Sequence, residues 1–198
     1  SRSLAFSAQG KLKRVDLAGG PPQTLCPVGE FRGGTWNRAG IILFAPKTRD
    51  GLFQIPATGG EPKPVTSPEV ARQEIGHSNP YFLPDGRQFL FQVEASNGFP
   101  GVFVGSLDTN EVKQVLPDSA CAIYDSAGWL LFVRNGALMA QPFEARGRML
   151  KGEAISLTPS SEIGVSFNTL FSVSDNGVLV WQGDGWRNYQ LVWFDRAG

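Results

Sequence analysis

The sequence predicts an all-β fold, a β-propeller built from four-stranded antiparallel blades. Three observations lead to this prediction. Turn glycines recur at Gly40, Gly86, Gly128 and Gly177, with spacings of 46, 42 and 49 residues, and four-stranded propeller blades repeat every ~40–50 residues. Short apolar runs alternate with turn signals, and no amphipathic helical stretch interrupts them. Proline and lysine collect in runs that would form the outer strands, where a missing donor or a charge is tolerated.

Each blade is expected to begin with a first strand that ends in a tight turn. The clearest turn is Pro84-Asp85-Gly86, where proline sets φ, aspartate can accept backbone N–H groups and glycine takes a positive φ. The other turns have polar residue pairs before the glycine instead of Pro-Asp. Each turn leads into an apolar second strand. The pairs are Asn37-Arg38, Asp125-Ser126 and Asp175-Asn176, and the second strands begin at 41, 89, 129 and 178.

The rest of each module supplies a third strand and a more polar fourth strand. Third strands are expected at 52–55, 102–104, 138–140 and 191–194, and fourth strands at 63–66, 113–116 and 155–158. The first 26 residues fit the same frame without a first strand. We therefore interpret residues 1–198 as a single propeller segment with blades at about 1–26, 30–67, 76–117, 120–159 and 167–198. Three of these are whole and two incomplete, so a fragment of a larger propeller is expected.

Composition narrows the classes of partner. Lysine plus arginine and aspartate plus glutamate number 18 each, so the net charge is zero, and no basic run favours nucleic acid or a membrane surface. No apolar run approaches the ~20 residues of a membrane-spanning helix. Cys26 and Cys121 are expected to be thiols rather than a disulfide, because one distant pair provides no framework.

Catalytic and metal-binding patterns are absent from the sequence. His77 is the sole histidine, and neither a Gly-x-Ser-x-Gly elbow nor a kinase signature accompanies it. One histidine and two distant cysteines do not make a zinc site. Asp85, Asp125 and Asp175 occupy equivalent turn positions, which indicates turn formation rather than glycosidase chemistry. We expect no catalytic residue, metal or cofactor in this chain.

The stretch Pro80-Tyr81-Phe82-Leu83-Pro84-Asp85-Gly86-Arg87, with its following apolar strand, resembles the TolB-like, WD40-like propeller repeats of bacteria. The segment Thr58-Gly59-Gly60-Glu61-Pro62 is similar to the end of that repeat. Leu83 in place of serine, after His77 and Pro80, looks like propellers attached to bacterial serine/threonine protein kinases. The resemblance implies a signalling protein with a cytoplasmic kinase and an extracytoplasmic propeller. The turns at 37–40 and 125–128 lack the Pro-Asp pair of the repeat.

The function expected is that of a non-catalytic module that binds or senses a protein or a small ligand. Propellers bind at the mouth of the central channel, where first strands converge. The candidates there are polar or aromatic residues in or ahead of first strands: Arg32, Trp36, His77, Asn79 and Tyr124. The alternative is the substrate-gating propeller of a prolyl-oligopeptidase-like serine peptidase, which a downstream α/β-hydrolase domain would distinguish.

Overall fold

The structure, a computed structural model, describes residues 2–96, 100–118, 121–160, 171–174 and 176–182. Within these ranges the chain forms a succession of antiparallel sheets that follow one another along the sequence. The first sheet contains β1 (Ser3–Ala8), β2 (Lys11–Asp16) and β3 (Gln23–Pro27) in that order. It matches the incomplete first blade of the sequence-based interpretation.

Three further sheets are complete blades, and a strand pair follows them. The second sheet is β4 (Gly34–Trp36), β5 (Ile41–Phe44), β6 (Phe53–Pro56) and β7 (Lys63–Pro64). The third is β8 (Glu74–Phe82), β9 (Gln88–Ala95), β10 (Gly101–Ser106) and β11 (Lys113–Leu116). The fourth is β12 (Ala122–Asp125), β13 (Trp129–Arg134), β14 (Ala137–Glu144), β15 (Met149–Leu150) and β16 (Ile155–Ser156). The pair is β17 (Phe171–Val173) and β18 (Leu179–Trp181). The prediction of an all-β fold of four-stranded antiparallel blades is confirmed. The third strand expected at 191–194 lies outside the described residues.

The hairpins between first and second strands close with one repeated bond. In each, the N–H of the turn glycine donates to the carbonyl three residues earlier, at 2.9 to 3.1 Å, and the glycine has a positive φ. The values are 82° for Gly40, 65° for Gly86, 95° for Gly128 and 83° for Gly177. Asp85 Oδ1 accepts the N–H groups of Arg87 and Gln88 at 3.0 and 2.9 Å. Turns with and without the Pro-Asp pair therefore share this glycine bond, although the Pro-Asp turn closes one residue later: Leu83 N donates to Gln88 O, whereas Asn37 N donates to Ile41 O and Ser174 N to Val178 O.

The outer edge of the fourth sheet is split at a proline. β15 pairs with the end of β14 and β16 pairs with its middle, so two short strands replace one fourth strand. Phe143 N donates inward to Gly128 O at 2.8 Å, and strand alternation therefore points the nitrogen of Pro142 outward. Proline has no N–H to give there. The outer partner is interrupted at this position for that reason.

Apolar side chains fill the spaces between consecutive sheets. Along β9, Phe89 and Phe91 pack with Leu43 of the second sheet, whereas Leu90 packs with Leu130 of the fourth. This division follows from the alternation of side chains along a strand. Phe44, Phe89 and Phe91 are all essentially buried, and burying each such side chain contributes ~1.5–3 kcal/mol. The core is thus a series of inter-sheet layers.

The structure also bears on the cysteines and on membrane-spanning helices. Cys26 is a buried free thiol, so it does not form a disulfide with Cys121, and burial raises its pKa. Over the described ranges, no helix has the length and apolar character needed to cross a membrane.

Candidate functional site

Polar side chains collect where the first strands of the second and third sheets lie side by side. Arg32, just ahead of β4, places Nη2 2.5 Å from Glu94 Oε1 on β9. The same carboxylate oxygen accepts Ser78 Oγ of β8 at 3.3 Å. The side chains of Arg32 and Glu94 are 13% and 18% exposed, so the ion pair is largely removed from water and bridges two blades.

A β-bulge in β8 brings Asn79 into the same group. The register of β8 against β9 shifts between Ser78 and Tyr81, and Asn79 has a φ of 50°, a conformation that asparagine tolerates better than most residues. Its N–H leaves the third sheet and donates to Arg32 O at 2.8 Å, while Nδ2 donates to Gln92 Oε1 at 3.0 Å. We call Arg32, Ser78, Asn79, Gln92 and Glu94 the inner polar cluster.

His77 lies on the opposite side of β8, facing the second sheet. Its Nδ1 is 2.7 Å from Thr66 Oγ1, and its Nε2 is 3.0 Å from Glu74 Oε2. The ring packs against Phe91 with centroids 5.0 Å apart. The backbone N–H of His77 donates to the backbone carbonyl of Asp50 at 2.9 Å. The histidine therefore ties the second sheet to the third.

Burial favours a neutral His77 ring, and its hydrogen bonds are compatible with one. Thr66 Oγ1 accepts the N–H of Leu52 at 2.9 Å and can donate its own hydrogen to Nδ1, in which case Nε2 carries the proton given to Glu74. Burial lowers the pKa of His77, an effect that the hydrogen bond and charge of Glu74 and the charge of Asp50 oppose. Desolvation disfavours the imidazolium, so the ring is neutral at neutral pH.

His77 borders a cleft of 510 Å³ between the second and third sheets, which we call the His77 cleft. One wall is the segment that leaves β7, from Pro64 through a short 3-10 turn at Val70–Arg72. The other wall comes from β9, β10 and the loop after β10. The buried part contains the side chains of Glu74 and Phe91. The outer part contains apolar and polar residues: Val65, Pro68, Val112, Ser67, Glu69, Thr109 and Asn110.

The remaining two sequence candidates point into other inter-sheet spaces. The Trp36 ring lies under the guanidinium of Arg14, with Cζ 5.7 Å from the ring centroid, and packs at the layer between the first and second sheets. Tyr124 makes an edge contact with Phe143, centroids 6.1 Å apart, in the layer between the third and fourth sheets. Arg32 and Asn79 are brought together, His77 faces the neighbouring cleft, and Trp36 and Tyr124 lie apart from them.

Sequence reasoning did not single out Glu74 or Glu94. Glu74 and His77 are three residues apart, a spacing that places two strand side chains on opposite faces. A register shift between Glu74 and Gly76 adds one residue and returns both side chains to one face. Thr66 did carry a signal, because Val65-Thr66 ends the second repeat as Leu157-Thr158 ends the fourth.

These positions offer charged and hydrogen-bonding side chains. Among the described residues, no three His, Cys, Asp or Glu side chains converge as a metal site would require. The inner polar cluster presents one cation, one anion and uncharged hydrogen-bonding groups. The His77 cleft presents a largely buried carboxylate below an opening lined by both apolar and polar residues. Both arrangements suit binding through hydrogen bonds and charge.

Comparison with known proteins gives the fold. No protein-family model matches the chain, and no curated protein does. TolB from Acinetobacter baumannii matches with a TM-score of 0.66 and 23% identity, over 88% of this chain and 44% of that one. A putative TolB from Agrobacterium tumefaciens matches with a TM-score of 0.68 and 16% identity, over 93% of this chain and 68% of that one.

A puromycin-hydrolysing peptidase from Mycobacterium tuberculosis also matches, with a TM-score of 0.55 and 11% identity, over 86% of this chain and 39% of that one. The chain therefore spans less than half of the Acinetobacter TolB and of the peptidase. These similarities establish a β-propeller fold of the kind found in TolB-like proteins. At such identities they do not carry over a function.

Proposed function

We propose that this chain is a non-catalytic propeller module that binds a protein segment or a small ligand, with the inner polar cluster as its contact site. The main support for this proposal is that Arg32, Asn79 and Glu94 come from two blades and lie in contact at one place. First strands of consecutive blades line the central channel of a propeller, and grouped polar side chains there are suited to recognition.

The environment of Thr66 supports a non-catalytic role. A Glu-His-Thr series resembles the order of groups in a nucleophilic triad, but the same threonine bond recurs without a histidine. Thr158 Oγ1 accepts the N–H of Leu138 at 3.0 Å, as Thr66 Oγ1 accepts that of Leu52 at 2.9 Å. The threonine hydroxyl therefore serves the blade in both repeats, and we assign it no role as a nucleophile.

The setting we propose is the extracytoplasmic part of a bacterial signalling protein, such as a membrane-bound serine/threonine kinase. The support is the sequence resemblance at residues 77–87 and the TolB-like fold. Obtaining the sequence of the gene on both sides of this segment tests it. A kinase domain and a membrane helix upstream are the expected result, and their absence refutes the kinase setting.

Binding at the inner polar cluster is tested with a random-peptide phage library selected on the wild-type chain. Individual enriched peptides are then measured on an R32A/N79A double variant and on R146A, a substitution in the turn after β14. We expect at least about tenfold weaker binding to the double variant and unchanged binding to R146A. Circular dichroism at matched temperature checks that each variant is folded. Equal affinity for all three proteins overturns the assignment.

The second candidate is the substrate-gating propeller of a serine peptidase, and the similarity to the peptidase propeller favours it. In that case an α/β-hydrolase domain with a Gly-x-Ser-x-Gly turn should follow in the parent gene. The test is to remove this segment from the parent protein and measure its peptidase activity. Activity that persists but is no longer selective for short peptides would establish the gating function.

A further inference from the structure

Glu74 in the His77 cleft has one carboxylate oxygen fully engaged and one available. Its Oε2 accepts the N–H of Glu69 at 2.7 Å and the Nε2–H of His77 at 3.0 Å. Within the described part of the chain, Oε1 accepts no hydrogen bond, and its nearest cation is Arg72 Nη1 at 3.8 Å. The side chain is only 5% exposed, so a further donor at Oε1 would act in a setting largely removed from water.

Charge in the cleft favours a cation beside Glu74. Because His77 is neutral, it does not cancel the charge of the carboxylate to which it donates. Arg72 directs its Nε to Glu69 Oε2 at 2.9 Å, so its charge is shared with a second carboxylate. The ionised groups that line the cleft are Glu69, Glu74 and Arg72, which leaves one negative charge in excess.

The shape of the cleft adds a requirement on the rest of the ligand. Its volume of 510 Å³ lies within the ~300–1,000 Å³ of small-molecule sites. The outer part of the cleft combines the apolar side chains of Val65, Pro68 and Val112 with the exposed polar residues Ser67, Glu69, Thr109 and Asn110. A ligand with an alkyl chain can therefore lie against Val65, Pro68 and Val112 while its polar end reaches Glu74.

We propose that the His77 cleft binds a primary alkylammonium group, with the ammonium donating to Glu74 Oε1 and the alkyl chain lying against Val65, Pro68 and Val112. A guanidinium is less suited, because its fork bonds both oxygens of a carboxylate and Oε2 is already occupied. A compact ammonium needs one oxygen. This site is separate from the inner polar cluster, so either can fail without the other.

The test uses the whole chain labelled with ¹⁵N, titrated with n-butylammonium chloride and followed by the amide signals of Thr66, His77 and Ser106. Uncharged n-butanol is the matched probe. We expect saturable shifts with butylammonium, with a dissociation constant of about 1–10 mM, and none with butanol. Equal shifts with both probes, or shifts confined to amides outside the cleft, overturn the proposal.

Two variants should change the affinity in opposite directions. E74Q removes the charge that accepts the ammonium and should weaken binding about 10- to 100-fold. R72Q removes the competing guanidinium and should tighten it about two- to fivefold. E144Q, at a carboxylate of the fourth sheet that pairs with Lys151, should leave affinity unchanged. If E74Q does not fold, R72Q decides, since unchanged or weaker binding to it overturns the proposal.

Two further probes separate the sources of the ammonium. Nα-acetyl-lysine methylamide represents a lysine side chain of a protein, and Nα-acetyl-arginine methylamide represents the guanidinium that the site should disfavour. Binding of the lysine compound as well as butylammonium supports the proposal with a protein source. Binding of butylammonium alone supports it with a free amine. Binding of the arginine compound as tightly as the lysine compound contradicts it.

Discussion

Two inter-sheet clefts of this protein occupy corresponding places and differ in their chemistry. The His77 cleft lies between the second and third sheets. A cleft of 450 Å³, which we call the Phe44 cleft, lies between the first and second. Each contains a buried phenylalanine of a second strand, Phe91 in one and Phe44 in the other, directed at the preceding sheet.

The difference lies in what surrounds those phenylalanines. The Phe44 cleft is lined by Pro27, Pro46 and Pro62, and its ion pair, Lys47 with Asp50 at 3.2 Å, is at the surface. The His77 cleft has a buried Glu74-His77-Thr66 series and a 3-10 turn along one wall. The repeat thus supplies the apolar wall in both places. A register shift and one added turn supply the polar groups in one of them.

The largest effect is expected from removing the two aromatic walls. Phe44 and Phe91 are each 1% exposed, and F44A and F91A should each lower the free energy of unfolding by about 3–5 kcal/mol. F91A should cost more, because Phe91 has ring contacts with Phe89, Phe103 and His77, each worth ~0.5–1.5 kcal/mol. Urea unfolding measures both. A larger loss in F44A would contradict the ranking.

Replacing glycine by alanine should lower stability at Gly76, in the first strand of the third sheet, and have little effect at Gly29, in the segment that leads to the first strand of the second sheet. A Cβ on Gly76 would lie 2.1 Å from Thr48 O, whereas one on Gly29 would meet its nearest atom at an ordinary 3.7 Å. We expect G76A to lose about 1–3 kcal/mol of stability and G29A to stay within about 0.5 kcal/mol. Thermal unfolding of the pair gives the answer, and similar melting temperatures would refute the close approach.

The His77 cleft should make stability depend on pH in a way that the Phe44 cleft does not. Burial, opposed by Glu74, lowers the pKa of His77 from its ordinary 6.5. As pH falls below about 6.5, the unfolded chain binds a proton that the folded chain does not, so the folded state loses stability there and retains it at higher pH.

H77Q lacks this titration, and it contains no other histidine. Its unfolding free energy should therefore fall less between about pH 6.5 and 5 than that of the wild type. Urea unfolding at about pH 7.5, 6 and 5 compares the two slopes. Parallel profiles would show that His77 does not titrate differently in the folded and unfolded chains.

The smallest effect is expected at the surface ion pair of the Phe44 cleft. The Lys47 and Asp50 side chains are 61% and 29% exposed, and such pairs contribute ~0–1 kcal/mol. K47A should change the unfolding free energy by less than about 0.5 kcal/mol, with any difference vanishing in about 1 M salt. A loss above about 1 kcal/mol would mean that this cleft, too, depends on a polar contact.

The architecture could be read from the sequence because it rests on repeated local signals. A turn glycine, an apolar run and a polar last strand recur, and each fixes a hairpin without long-range information. The site could not be read in the same way. Glu74 joins His77 through a register shift, and Asn79 reaches Arg32 through a bulge, and both depend on how two strands pair. His77 is conspicuous in the sequence because it is the sole histidine. Its contact with Glu74 depends on the register between β8 and β9.

The split edge of the fourth sheet has a consequence for the behaviour of the chain in solution. An outer strand offers unpaired N–H and C=O groups on which a second molecule can assemble a strand. Here the outermost strands have two residues each, Met149–Leu150 and Ile155–Ser156, and the second sheet ends on the equally short Lys63–Pro64. Neither of these two rims is a continuous template, so edge-to-edge pairing between molecules is expected instead at longer described edge strands such as β1 and β3 of the first sheet and β11 of the third.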